Sequence, residues 1–124
     1  MNAPETVDLP LSDAERGILK AGLAEWGGPA HCTEGFAVAM GFNSVADFLD
    51  QSHRLSAAVA AGEPMTRRDW TKTLLATELA FVSDFIGSGV EWETTTGFSD
   101  VDTIRLIRGI QRKAARRGIW EPTP

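Results

Sequence analysis

Few residues in this chain are of types and spacings that do chemistry. Glu78 stands in the middle of the longest apolar stretch, between Leu74 and Phe81, with Thr71 about two turns before it on the same helical face. A carboxylate so placed either finds a partner or stays protonated, and such perturbed acids are the starting point for general acid–base work. Glu91, Glu93, Asp100 and Asp102 put four carboxylates within twelve positions. Their oxygens suit a hard cation, but the glycine-centred spacing of an EF-hand loop is missing, so a solvated loop is the expectation. His31 and Cys32 place an imidazole beside a thiol. Neighbouring side chains on a loop diverge, and no third group orients them, so the cysteine reads as structural or incidental. One cysteine and two histidines, His31 and His53, do not make a zinc set. The Gly87-Ser88-Gly89 run follows a helix instead of opening one, unlike a phosphate cradle. No catalytic residue, metal or cofactor is expected.

The elements that would position these residues are helices. Thr66 is a good N-cap with Asp69 in the first turn. At about 100° per residue, Trp70, Leu74, Leu75, Leu79, Phe81, Val82, Phe85 and Ile86 share one broad face, with Lys72, Ser83 and Asp84 opposite and Ala76 and Ala80 between. Gly87 and Gly89 are expected to end this central helix. Glu78 then either reaches the rim by its alkyl stem or is buried with a partner: the Thr71 hydroxyl, an indole N–H or an arginine.

Around it, Ser12 with Glu15 makes an S-x-x-E capping box for a first helix that runs to about Trp26, with Ile18, Leu19, Leu23 and Trp26 on one face. Gly22 falls within that face and predicts close contact with another helix. Gly27-Gly28-Pro29 is a stop. Thr33 caps a short second helix ending at Gly41, and Ser44 caps a third, with Val45, Phe48, Leu49, Leu55 and Val59 in a stripe, ending near Gly62. The segment Glu91–Phe98 has β-branched Thr94, Thr95 and Thr96 but no second strand to pair with, so it reads as an ordered irregular loop. Ser99 with Asp102 caps the last helix, with Ile104, Leu106, Ile107, Ile110 and Ala114 inward and Arg105, Arg108, Arg112 and Arg116 outward. The expectation is an all-α single domain, a bundle of about five helices over residues 11–118, with a loose arm at 1–10 and a tail at 119–124.

A chain of 124 residues with 43% hydrophobic and 23% charged residues buries an ordinary core as one domain. The single cysteine points to a reducing compartment, and the start, MNAPETVDLPLSD, has neither the basic nor the apolar region of a signal peptide. No apolar run is long enough to span a bilayer. A cytoplasmic protein without membrane contact is expected.

The net charge of −5 is unevenly spread. Residues 1–104 carry six Lys/Arg against sixteen Asp/Glu, whereas 105–117 carry six basic residues and no acidic one. An acidic body repels phosphates and weighs against nucleic acid as a partner. Residues 33–49 have the outline of a degenerate helix-turn-helix, with Ala37 and Gly41 four apart. Asp47 stands where an apolar residue is wanted, however, and Asp47 and Asp50 would face the DNA. Met40-Gly41-Phe42 also resembles the loop of ubiquitin-associated domains, a pattern shared by many helices that end in glycine between apolar residues. The basic stripe either complements the helix dipole and the acidic body or meets an acidic partner.

The run RRDWTKTLLATELAFVSDFIGSGVEWETTTGFSDVDTIRLIRGIQRK, with the earlier EWGGPAHCTEGFAVAMGF, resembles a group of small uncharacterised actinobacterial proteins across about residues 12–117. The resemblance implies a bacterial cytoplasmic helical protein and no activity. The functional expectation is a non-enzymatic protein-interaction or regulatory module that binds a protein partner or itself. Its surface would join Glu91, Trp92, Glu93 and Thr94 to Arg105, Arg108 and Arg112, with Trp92 as an exposed anchor. The alternatives are a DNA-binding regulator and a small enzyme using carboxylates around Glu78 or Glu91.

Overall fold

The computed structural model describes residues 5–28 and 30–120, and among them the chain is all-α apart from one pair of two-residue strands. The helices are α1 (Asp13–Ala24), α2 (Glu34–Ala39), α3 (Val45–Ala61), α4 (Arg67–Val82), α5 (Trp92–Thr96) and α6 (Asp100–Arg116). Short 3₁₀ turns at Glu25–Gly27 and Gly89–Glu91 extend α1 and precede α5. Five helices open on the predicted caps. The Ser12 hydroxyl accepts from the Glu15 N–H while the Glu15 carboxylate accepts from the Ser12 N–H, the reciprocal capping box. Thr33, Ser44, Thr66 and Ser99 each accept from the N–H three residues on.

The hub of the bundle is α1, which packs against α3, α4 and α6. Gly22 explains how α4 comes so near. A β-carbon built there would lie 2.5 Å from the Thr77 hydroxyl oxygen and 2.7 Å from its Cα, so only hydrogen fits between the two backbones. That notch draws the small residues of α4 inward. Thr73, Ala76, Thr77 and Ala80 have no measurable exposure, whereas Leu75 and Val82 face outward. The inward face of α4 is therefore rotated from the expected one: contact distance, not side-chain hydrophobicity, chose it. Lys72, expected on the solvent side, is buried, with its ammonium 4.9 Å from the centre of the Phe42 ring and 3.3 Å from the Gln51 side-chain amide oxygen.

Several boundaries also differ from the sequence reading. The central helix stops at Val82, before Gly87 and Gly89, because Ser83 turns extended and the chain folds back, the Ser88 N–H donating to the Ala80 carbonyl. Phe85, assigned to the apolar face, is left 89% exposed on that turn. The segment Glu91–Phe98 is not an irregular loop, since its threonines sit in α5, where Thr95 and Thr96 hydroxyls bond to carbonyls one turn back. The described part of the arm is anchored. Thr6 and Val7 pair antiparallel with Thr66 and Met65, Leu9 is buried, and the Trp70 indole donates to the Val7 carbonyl at 2.8 Å. Residues 1–4 of the arm and 121–124 of the tail lie outside the described residues. On α6, Thr103, Ile107, Ile110 and Ala114 face the core, Leu106 is half-buried, and Ile104 is partly exposed.

Candidate functional site

Trp92 is the first correction to the expected surface. It has no measurable exposure, its indole N–H donates to the Thr103 hydroxyl at 2.8 Å, and its ring meets Phe81 edge-on at 5.5 Å. It cannot anchor a partner. An apolar face on a five-residue helix buried against α6 outweighs the polarity of its neighbours Glu91, Glu93 and Thr94, which remain exposed. Arg105, Arg108 and Arg112 are exposed along α6 as expected. Among the described residues no side-chain hydrogen bond or ion pair joins them to Glu91, Glu93 or Thr94, so the two halves of the expected surface are not assembled into one site.

Three of the four tryptophans are buried with their N–H groups committed: Trp26 to the Ala76 carbonyl, Trp70 to Val7 and Trp92 to Thr103. The fourth, Trp120, is 74% exposed. Its position is fixed by the end of α6. Gly118, with φ of +66°, lets its own N–H reach the Ala115 carbonyl and the Ile119 N–H reach the Ala114 carbonyl, both at 3.1 Å. These two bonds make a Schellman motif, which turns the chain back and buries Ile119 against the bundle. Met40-Gly41-Phe42 closes α2 with the same pair of bonds, so that tripeptide is a helix end and carries no further resemblance. Ile119, assigned to the tail, is thus part of the packed bundle.

Ile119 and Trp120, with Thr71 and Leu75 of α4, line two adjoining hollows. One, of about 450 Å³, runs between α4 and α6 over Leu74 and Ala114 and carries Glu78, Gln111 and Arg108 on its walls. The other, of about 480 Å³, continues past Met40 and Gly41 to Arg67, Arg68 and Lys72. Together they form a trough with an apolar floor and polar walls, and Trp120 stands between the two halves.

Glu78 is half-buried in the wall of this trough. Thr71 is not its partner: that hydroxyl donates to the Arg67 carbonyl one turn back and faces solvent, so the buried Glu78–Thr71 pair is corrected. Instead the Gln111 side-chain amide donates to the Glu78 carboxylate at 2.9 Å, and Arg108 donates to the oxygen of that same amide at 3.1 Å. Burial pushes the Glu78 carboxyl above the usual carboxylate range, and the Gln111 bond and the nearby Arg108 charge offset only part of that. Glu15 goes the other way. Burial pushes it up, but the Lys113 ammonium and the Ser12 N–H outweigh burial and hold it below the usual range.

The remaining candidates carry no site. His31 is exposed, with its backbone N–H on the Ile86 carbonyl, and the Cys32 thiol sits against the Thr33 carbonyl, pushed up by burial and then by Glu34. A protonated thiol is a poor nucleophile. Among the described residues no three His, Cys, Asp or Glu side chains converge as metal ligands, so Glu91, Glu93, Asp100 and Asp102 stay apart. Asp47 is held in α3 by the Asn43 N–H and the Gln51 amide. The sequence reading put Leu75 on the inward face and gave no role to Gln111, Ile119 or Trp120; the apolar pair directly after Gly118 was the signal available. No protein-family profile, curated protein or solved structure matches the chain.

Proposed function

We propose that this chain is a non-enzymatic protein-interaction module and that its docking surface is the trough between α4 and α6. The observation that supports the reading most directly is Trp120, the exposed one among four tryptophans, held by a Schellman turn over an apolar floor. Large aromatic side chains at the edge of a concave apolar surface are the usual anchors of protein contacts. This moves the surface from the Glu91–Thr94 segment to the opposite end of α6 while keeping Arg108 in it. A cytoplasmic setting belongs to the same reading, supported by a lone thiol in place of disulfides. Among the described residues no helix is long and apolar enough to cross a membrane.

Glu78 favours a second reading, a small enzyme with a raised carboxyl as its acid. Among the described residues the hollow beside it carries no cysteine, serine or second carboxyl, its Thr71 hydroxyl is bonded to the Arg67 carbonyl, and both Gln111 and Arg108 are already engaged. We therefore place Glu78 in the wall of a binding surface.

A photo-crosslinking residue introduced at Leu75 tests the interaction reading, with the same residue at exposed Ala57 of α3 as control. A partner covalently captured from Leu75 and not from Ala57, and lost in Trp120→Asp, is the expected result. Equal capture at both positions overturns it.

A further inference from the structure

We infer that the trough takes one occupant, an acidic amphipathic helix of about three turns from a partner protein; this rests on the interaction reading above. The Glu78–Gln111 bond, with Thr71 and Ile119 lining one hollow, sets α4 and α6 antiparallel. Counting one turn onward from Glu78 and back from Gln111 brings exposed Val82 level with Arg108, and exposed Ile104 lies one turn further back along α6. Apolar exposure therefore continues along the seam from Trp120 through Leu75 to Val82 and Ile104. From Thr71 to Val82 this spans about 16 Å at 1.5 Å per residue, the length of three helical turns. A helix lying between two others, its apolar stripe down, is a standard way to fill such a seam.

The charge of the walls selects the helix. Arg67 and Arg68 flank one end of the trough, and Arg108 with Arg112 one turn beyond it flank the α6 side. Among the described residues none of these four arginines is in an ion pair with a carboxylate. The carboxylate on the walls, Glu78, is covered by Gln111. Elsewhere the chain is strongly acidic, so an acidic helix is repelled by the body and drawn to this seam. A basic helix would meet four arginines here.

The test uses the full chain and two synthetic peptides of roughly 14 residues, each about four turns long. Both carry leucine at i, i+3, i+4 and i+7, one with glutamate and one with lysine at the flanking positions. Binding is read by fluorescence anisotropy and by amide shifts in the protein. The glutamate peptide is expected to bind at least tenfold more tightly than the lysine peptide, to weaken with salt, and to shift Leu75, Gln111 and the Trp120 indole. Arg108→Glu with Arg112→Glu should weaken it at least tenfold while the circular dichroism spectrum stays unchanged. Equal or tighter binding of the lysine peptide, no binding of the glutamate peptide, or indifference to the double reversal overturns the proposal. So does a wild-type dimer in sedimentation that Trp120→Asp dissociates, which would make a second copy the occupant. If crosslinking at Leu75 still captures a partner that has no acidic helix, this inference fails while the interaction reading stands; loss of specific capture fails both.

Discussion

The Trp92 indole donates to the Thr103 hydroxyl at 2.8 Å, with both side chains sealed from solvent, and this bond ties α5 to the first turn of α6. Trp92→Ala should cost about 3–5 kcal/mol, as large aromatic truncations in cores do. Thr103→Val keeps the shape and strands the indole N–H, for about 1–3 kcal/mol. Urea denaturation followed by circular dichroism checks both. A Trp92→Ala variant as stable as the wild type would place this residue outside the core.

Gly22→Ala should destabilise the protein although alanine is the better helix former. The added methyl meets the Thr77 Cα and side chain at 2.5–2.7 Å, and relieving that overlap typically costs about 1–3 kcal/mol. The comparison is with Ala14→Gly at an exposed position of the same helix, where only the intrinsic propensity of about 1 kcal/mol is lost. A stabilised Gly22→Ala would mean that α1 and α4 are not in backbone contact.

Two glutamates should give opposite pH dependences. Glu15 is held lower in the folded state than in the unfolded chain, where it titrates near about 4.3. Its contribution is present above that value and is lost as pH falls through the lowered folded pKa. Glu78 is raised in the folded state, so its contribution is present below about 4.3 and is lost as pH rises through the raised folded pKa. Glu78→Gln should therefore be more stable than wild type at neutral pH, with the difference vanishing in acid. Glu15→Gln should be less stable at neutral pH, and its deficit should shrink in acid. Thermal melts across about pH 3 to 8 read both slopes. Parallel slopes for the two variants would contradict these assignments.

Gly118→Ala should cost about 1–2 kcal/mol, because a β-carbon is strained in the left-handed turn. It should also free Ile119 and Trp120 from their places. The indole N–H resonance of Trp120 and hydrogen exchange at Ile119 are the suitable probes. Unchanged exchange at Ile119 would show that the Schellman turn does not hold this segment.

The starts of helices were legible in the sequence because a cap is a local object. Ser12, Thr33, Ser44, Thr66 and Ser99 each satisfy an N–H three residues away, and nothing distant enters that geometry. The all-α class, the exposed arginine stripe of α6 and the close contact at Gly22 followed from equally local patterns. Which face of α4 turns inward was decided only by the tertiary structure. The Gly22 notch admits Thr77, with small Ala76 and Ala80 also turned inward, while larger Leu75 and Val82 face out, and that rotation carried Lys72 inside and left Glu78 at a groove wall. Burial of Trp92 likewise depends on Phe81 and Thr103, which lie eleven residues away on either side. The trough itself is a relation between α4, α6 and the returning Ile119-Trp120 pair, and no spacing within one helix encodes how two helices and a turn meet.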